Sequence, residues 1–397
     1  MKNIQNILFP LTLTAMTLGM ATAQDTGQTD IMPTVPFGGE DCDHSDGSIL
    51  SINPSLHLRA VYGETDLEDA GLASGGHDPA TDGFSVPGLS VGADVHMGEN
   101  LFAFTEAIFA WDKEEGWEGE LEELYAKLMN IPGGFDLKGG RFFASVGTLN
   151  TPHNHEWKFV DTSMMNFRFL GDDALALEGF ELVWTPPTHW DDKLILGYGS
   201  AVEHEHEEEQ HGDEEEHGHE EEAEEALWDR DIFTLRYTAT FWPEDTCGFT
   251  YGVSYMQGRN FMGESAKLYG ADLTYSWLED GSHGQNFTWT NEAMMRDVNT
   301  EEGKFAEWAF SSRAIWRFLP EWEAGLRYDY LEGVADPELA ERHRISPSLT
   351  RYFRVGMMSD AMARVQYNYD HNEESGDNHS LWLMFGFDWG EGDDHVH

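Results

Sequence analysis

The densest run of metal-binding side chains lies between Glu203 and Glu225, EHEHEEEQHGDEEEHGHEEEAEE, with fourteen acids, five histidines and almost nothing apolar. Imidazole nitrogen and carboxylate oxygen both bind zinc. The pairs His204-x-His206 and His217-x-His219, with His211 between them, let one flexible backbone chelate an ion. A segment this polar must be ordered to bind, so affinity for any one ion should be modest and several ions could share it. A solvated, self-repelling charge run is the plainer alternative. The interspersed histidines tip the reading toward zinc or another divalent cation, transported or loosely held.

A second candidate metal group is His153-Asn154-His155, followed by Asp161. Two imidazoles and a carboxylate make a more defined set than the tract. Three ligands alone do not fix a tetrahedral geometry, and the same residues can equally hydrogen-bond inside a folded loop that narrows a mouth. No Ser or Thr stands in a recognisable arrangement with His and a third group, and Gly139-Gly140 precedes Arg141 inside a strand pattern rather than forming a phosphate loop. The chain therefore reads as a non-enzyme.

The net charge of −51 opposes binding to nucleic acid and favours cations. Lys2, the apolar run Ile7–Met20 and Ala21-Thr22-Ala23 describe a secretory signal over residues 1–23, so the mature chain should begin near Gln24, outside the cytoplasm. No Cys follows the cleavage point to carry a lipid anchor. Two cysteines, Cys42 and Cys247, could pair in that oxidising compartment.

The elements that must position these groups are strands. Mean hydropathy is −0.50, yet aromatic residues reach 13%, and the apolar positions alternate. In Tyr269–Trp277 one face is Tyr, Ala, Leu, Tyr and Trp, and the other Gly270, Asp272, Thr274 and Ser276. Ala361–Tyr369 sets its apolar face against Met362, Arg364, Gln366 and Asn368. Period two with two unlike faces marks a strand between two environments. About sixteen such stretches follow: 55–62, 88–96, 101–111, 120–128, 135–147, 179–185, 193–200, 231–242, 247–257, 266–277, 285–296, 305–318, 321–331, 344–354, 360–369 and 380–389. Many approach the length a tilted strand needs to cross a bilayer.

Connections alternate in length. Residues 63–87, 112–119, 148–178 and 201–230 are long, whereas Gly98–Asn100, Asn130–Gly134, Pro186–Asp192 and Pro243–Thr246 are short. Outer-membrane barrels pair long external loops with short periplasmic turns. The expected fold is all-β, a transmembrane antiparallel up-and-down barrel of about sixteen strands over residues 55–389. A periplasmic segment (24–54) precedes it, a His-containing tail (390–397) follows it, and both 148–178 and the acidic tract (within 201–230) are external. Parity puts Cys42 and Cys247 on one side. Glu106, Glu123, Lys127, Lys138, Arg141, Arg236, Asp272, Arg313, Arg317, Arg327 and Arg364 should line the lumen, and tryptophans such as Trp111, Trp184, Trp190, Trp242, Trp277 and Trp316 should girdle the outside.

Leu137-Lys-Gly-Gly-Arg-Phe-Phe-Ala-Ser-Val-Gly-Thr-Leu-Asn150, His153-Asn-His155-Glu-Trp157-Lys-Phe159-Val-Asp161, Glu120–Tyr125, Phe167–Gly171 and Glu178–Trp184 resemble a family of Gram-negative outer-membrane barrels labelled zinc-regulated or TonB-dependent receptor-like. The resemblance is best over 118–200. It implies a membrane barrel connected with zinc. Residues 24–54 leave no room for the plug of a 22-stranded transporter, so a porin-like barrel without TonB coupling is the better physical fit. Expected partners are outer-membrane lipid and divalent cations, and a homo-oligomer is compatible with the pattern. Three functions stay open: metal capture and admission, general diffusion, or surface metal buffering without transport.

Overall fold

The computed structural model describes residues 50–66, 77–80, 82–112, 116–171, 174–188, 190–202, 228–244, 246–279, 285–300, 303–333, 341–356, 359–372 and 376–390. The chain divides into two units, Met1–His44 and Ser45–His397. The first falls outside the described residues, as do the signal segment, Cys42, the tract histidines His204, His206, His211, His217 and His219, and the tail.

Sixteen strands form one closed antiparallel barrel. They are β1 (Leu50–Thr65), β2 (Gly83–Met97), β3 (Leu101–Asp112), β4 (Gly116–Ile131), β5 (Phe135–Phe143), β6 (Ala176–Trp184), β7 (Asp191–Ala201), β8 (Trp228–Glu244), β9 (Cys247–Asn260), β10 (Ser265–Leu278), β11 (Asn286–Thr300), β12 (Gly303–Leu319), β13 (Trp322–Leu331), β14 (Arg342–Arg354), β15 (Ser359–Asn372) and β16 (Gly376–Gly390). Each pairs with its sequence neighbours, and β1 closes on β16 from Ser55 opposite Gly390 to Thr65 opposite Ser380. Closure satisfies every strand edge, which an apolar solvent demands. All sixteen alternating stretches correspond to these strands.

The alternation has the expected consequence. On β16, Leu381, Leu383 and Phe385 are each about half exposed, while Ser380, Trp382 and Met384 between them are buried. Phe180, Leu273, Leu326 and Val365 extend the apolar outer band. On the inner side of β15, Met362, Arg364, Gln366 and Asn368 are buried, as the sequence pattern requires. This is the surface of a barrel standing in a membrane, and barrels of this build sit in outer membranes. Trp184, Trp190 and Trp316 are exposed on it.

Three expectations need correction. The gap 112–119 shrinks to 113–115, because β3 and β4 extend until Asp112 faces Gly116. Arg141 points outward rather than into the lumen: it lies 3.4 Å from the well-exposed Glu178, which shares the outer face of β6 with Phe180. The largest change concerns 148–178. Strand β5 stops at Phe143, and the described residues of the connection, 144–171 and 174–175, pack inside the barrel instead of standing outside it. That loop carries a 3-10 turn, Asn154–Glu156, and one helix, α1 (Met164–Leu170), whose N-cap Ser163 accepts a hydrogen bond from Met165 N.

Candidate functional site: the inner loop and its anchors

The loop is held on three sides. Met164, Met165, Phe169 and Leu170 of α1 join an apolar cluster with Trp228, Ile232, Met256, Leu268 and Met294 from the wall. Trp228 Nε1 donates to Phe169 O at 2.9 Å, which anchors the last turn of the helix. These contacts explain why so apolar a connection stays out of water.

The second side is a bank of arginines on β12–β15. The Asp161 carboxylate accepts from Arg327 Nη2 and Arg344 Nη1, each at 2.8 Å, and from Asn368 Nδ2 at 2.9 Å. Arg327 Nη1 also donates to Asp161 O, and Arg364 Nη1 to Trp157 O at 2.8 Å and Phe159 O at 3.1 Å. Ser163 Oγ donates to Asp329, and Arg168 Nη2 lies 3.0 Å from Glu307. Burial alone would raise the Asp161 pKa, but Arg327 and Arg344 overcome it and hold the carboxyl below its usual value. Burial pushes the Lys158 ammonium down to about 8, against the pull of Glu323. Near the entry to the loop, Thr148 N and Oγ1 donate to Glu292. Gly147 sits at φ +66 there, with no room for a Cβ beside Glu292.

The third side faces β1–β4. A β-bulge between β3 and β4 pairs Glu106 with Glu123 and Ala107 with Leu121, leaving Glu122 as the extra residue. The bulge turns two successive carboxylates inward, where strict alternation would send one outward. His153 sits between them: Nδ1 is 3.2 Å from Glu122 Oε2 and 3.6 Å from Glu106 Oε1, and Nε2 is 2.9 Å from Glu123 Oε2. Glu123 Oε1 is fixed in turn by Phe143 N at 2.7 Å. His155 Nδ1 approaches Glu106 Oε1 at 3.2 Å, and His77 Nε2 approaches Glu122 Oε1 at 3.7 Å. The rings of His57 and His155 stack at 3.7 Å, and His153 lies parallel beyond at 5.6 Å. Arg59 donates to His155 O and pairs with Asp388 at 2.8 Å. Burial would lower the His153 pKa, but Glu106 and Glu122 reverse that and hold it well above its ordinary value.

Of the residues proposed from sequence, His153 and His155 therefore come together, but with Glu106, Glu122 and Glu123 rather than with Asp161. Asp161 belongs to the arginine bank, where its carboxylate is already bound to cations. Glu106 and Glu123 were expected only as lumen charges. Glu122, His57 and His77 were not singled out; the signal for Glu122 was the break in alternation at Glu122-Glu123. Among the other lumen expectations, Arg236 pairs with Asp272 at 2.7 Å and Lys138 with Glu181 at 2.9 Å. Arg313 Nη2 donates to Thr148 Oγ1 at 3.0 Å. Cys247 opens β9 and is a free thiol among the described residues; its suggested partner Cys42 lies outside them.

No family model matches the chain, so the resemblance to zinc-regulated barrels rests on its motifs alone. An uncharacterized protein of Aquifex aeolicus (strain VF5) is 25% identical over 236 residues, covering 53% of this chain and 48% of its own. The chain thus spans about half the length of that relative. The fold is similar to the anion-selective porin from Comamonas acidovorans (TM-score 0.54, 10% identity, 86% of this chain and 99% of that one). It is also similar to the outer membrane channel DcaP of Acinetobacter baumannii (0.54, 10%, 86% and 96%). A third likeness is the trimer form of OmpT, an outer membrane protein of Vibrio cholerae (0.52, 11%, 86% and 100%).

Proposed function

We propose that the protein is a passive outer-membrane channel that admits small cations, divalent metal included, past a loop fixed inside its lumen. The observation that carries this reading is the division of the wall: apolar outside, and inside a lining of buried carboxylates and guanidiniums that only a solvated or finely paired interior tolerates. Barrels of this strand number are wide enough to leave an aqueous path. The porin and channel likenesses support the same reading.

In sequence the tract 203–225 lies between β7 and β8, whose ends at Ala201 and Trp228 share the rim where the inner loop enters, beyond Phe143 and before Ala176. Its negative potential would concentrate cations at that mouth, and its histidines would favour zinc over calcium or magnesium. Zinc is here cargo, caught loosely and released inward down its gradient. The trimer form of one similar barrel supports self-association as the working state.

A second reading is favoured by the apolar packing of α1 against the wall: a lumen filled enough to bind ions without passing them. Zinc uptake into liposomes separates the two. Full-length protein should load a trapped zinc indicator, and deletion of 203–225 should slow loading at low external zinc. Liposomes that bind zinc outside and load none would establish the buffering barrel instead.

A further inference from the structure

We infer that Glu106, Glu122 and His153 form a buried site for a resident divalent transition metal that clamps the inner loop to the barrel wall. This site is distinct from the external tract and holds whether or not metal is the cargo. One oxygen of each glutamate and one nitrogen of His153 lie within 4.8 Å of one another, and all three residues are buried. Metal bonds of ~2.0–2.2 Å in a tetrahedron put ligand atoms ~3.3–3.6 Å apart. His153 Nδ1 stands 3.2 Å from Glu122 Oε2 and 3.6 Å from Glu106 Oε1. His155 Nδ1 stands beside this group, 3.2 Å from the same Glu106 oxygen.

The surroundings also match what a metal-bound histidine needs. Glu123 receives Nε2 of His153 at 2.9 Å and is itself held by Phe143 N, so Nδ1 is turned toward the carboxylate pair. A carboxylate behind the distal nitrogen fixes the ring and raises its basicity as a ligand. Two carboxylate oxygens and one or two imidazoles suit zinc, cobalt or manganese better than calcium, which takes six to eight oxygens. The ligands come from β3, β4 and the loop, so binding ties 144–175 to the wall.

The test uses full-length protein refolded in detergent and stripped with chelator. Titrated with Co2+, it should acquire the visible absorption of a low-coordinate site at one equivalent per chain, and Zn2+ should displace it. Glu106→Gln and Glu122→Gln should each weaken that equivalent by more than about 100-fold, since even loss of an outer carboxylate costs 10–100-fold. Weak binding to the intact tract should remain in both variants. Folding of each is checked by the mobility shift of unheated barrel on denaturing gels, and anomalous scattering at the zinc edge locates the ion. The proposal is overturned if the stripped protein shows no such equivalent, if both folded glutamine variants keep it unchanged, or if the anomalous peak lies elsewhere. Channel conductance without this equivalent would leave the proposed transport standing and sink only the clamp.

Discussion

Replacing Asp161 with Asn should free the inner loop while leaving the barrel intact. The substitution keeps the side-chain shape but removes the charge facing Arg327 and Arg344, each 2.8 Å away. Removing one member of a buried ion pair typically destabilises by about 3–5 kcal/mol, because the partners stay buried without compensation. Here both arginines keep another acid, Asp329 at 2.9 Å and Asp370 at 2.6 Å, so the lower end applies. About 3 kcal/mol raises the open population of the loop roughly 100-fold. The sixteen-strand ladder does not pass through Asp161 and should open separately. Trypsin reads the change, since Lys158 and Arg168 both lie in the loop and Arg168 is buried when it is docked. Where opening is fast relative to cutting, the cleavage rate follows the open population. Cleavage at those two bonds should therefore speed by about two orders of magnitude at unchanged barrel stability. An Asn variant cut no faster than the parent, with its barrel still folded, would refute the anchoring role.

The same anchors make further outcomes specific. The Asp161 pKa is lowered on docking, so its contribution is present above the ordinary Asp value and fades only as pH falls through the lowered one; protection of the loop from pepsin should persist down to about pH 4. Lys158, lowered to about 8, is more protonated in the undocked loop between there and its ordinary value of about 10.4, so docking should tighten from pH 8 to pH 10, and Lys158→Met should abolish that trend in trypsin-independent proteolysis. Gly147→Ala places a Cβ 1.7 Å from Glu292 Oε1 at φ +66, and should loosen the loop entry with faster cleavage but no change in barrel unfolding. Phe180→Lys, at the middle of β6 on the outer face, should destabilise the inserted barrel by about 2–4 kcal/mol in vesicle urea titrations.

The strands were legible because a barrel wall imposes one rule, apolar then polar, on every residue it contains. Even β14 obeys it, although Pro347 interrupts its pairing with β15 between Ile345 and Ser348. The inner loop was legible only as one alternative, a folded loop that narrows a mouth. Alternation says nothing about a connection, and length alone suggested an external excursion. The clue was composition: Phe159, Val160, Met164, Met165, Phe169 and Leu170 are too apolar for a water-exposed loop. The histidine pair was visible in the sequence, but its acidic partners were not, because they come from strands 30, 31 and 47 positions before His153 and from a bulge that violates the period used to find the wall. Asp161 looked like a ligand by proximity in sequence. Only the fold brings Arg327 and Arg344 to it.

The central claim is that ions cross the membrane through this lumen, past the docked loop and beneath an acidic mouth. Single-channel recording of the full-length protein across a potassium chloride gradient tests it most directly. Discrete current steps are predicted, with a reversal potential displaced toward that of potassium. A silent bilayer containing folded protein, or a reversal potential displaced toward chloride, would contradict it.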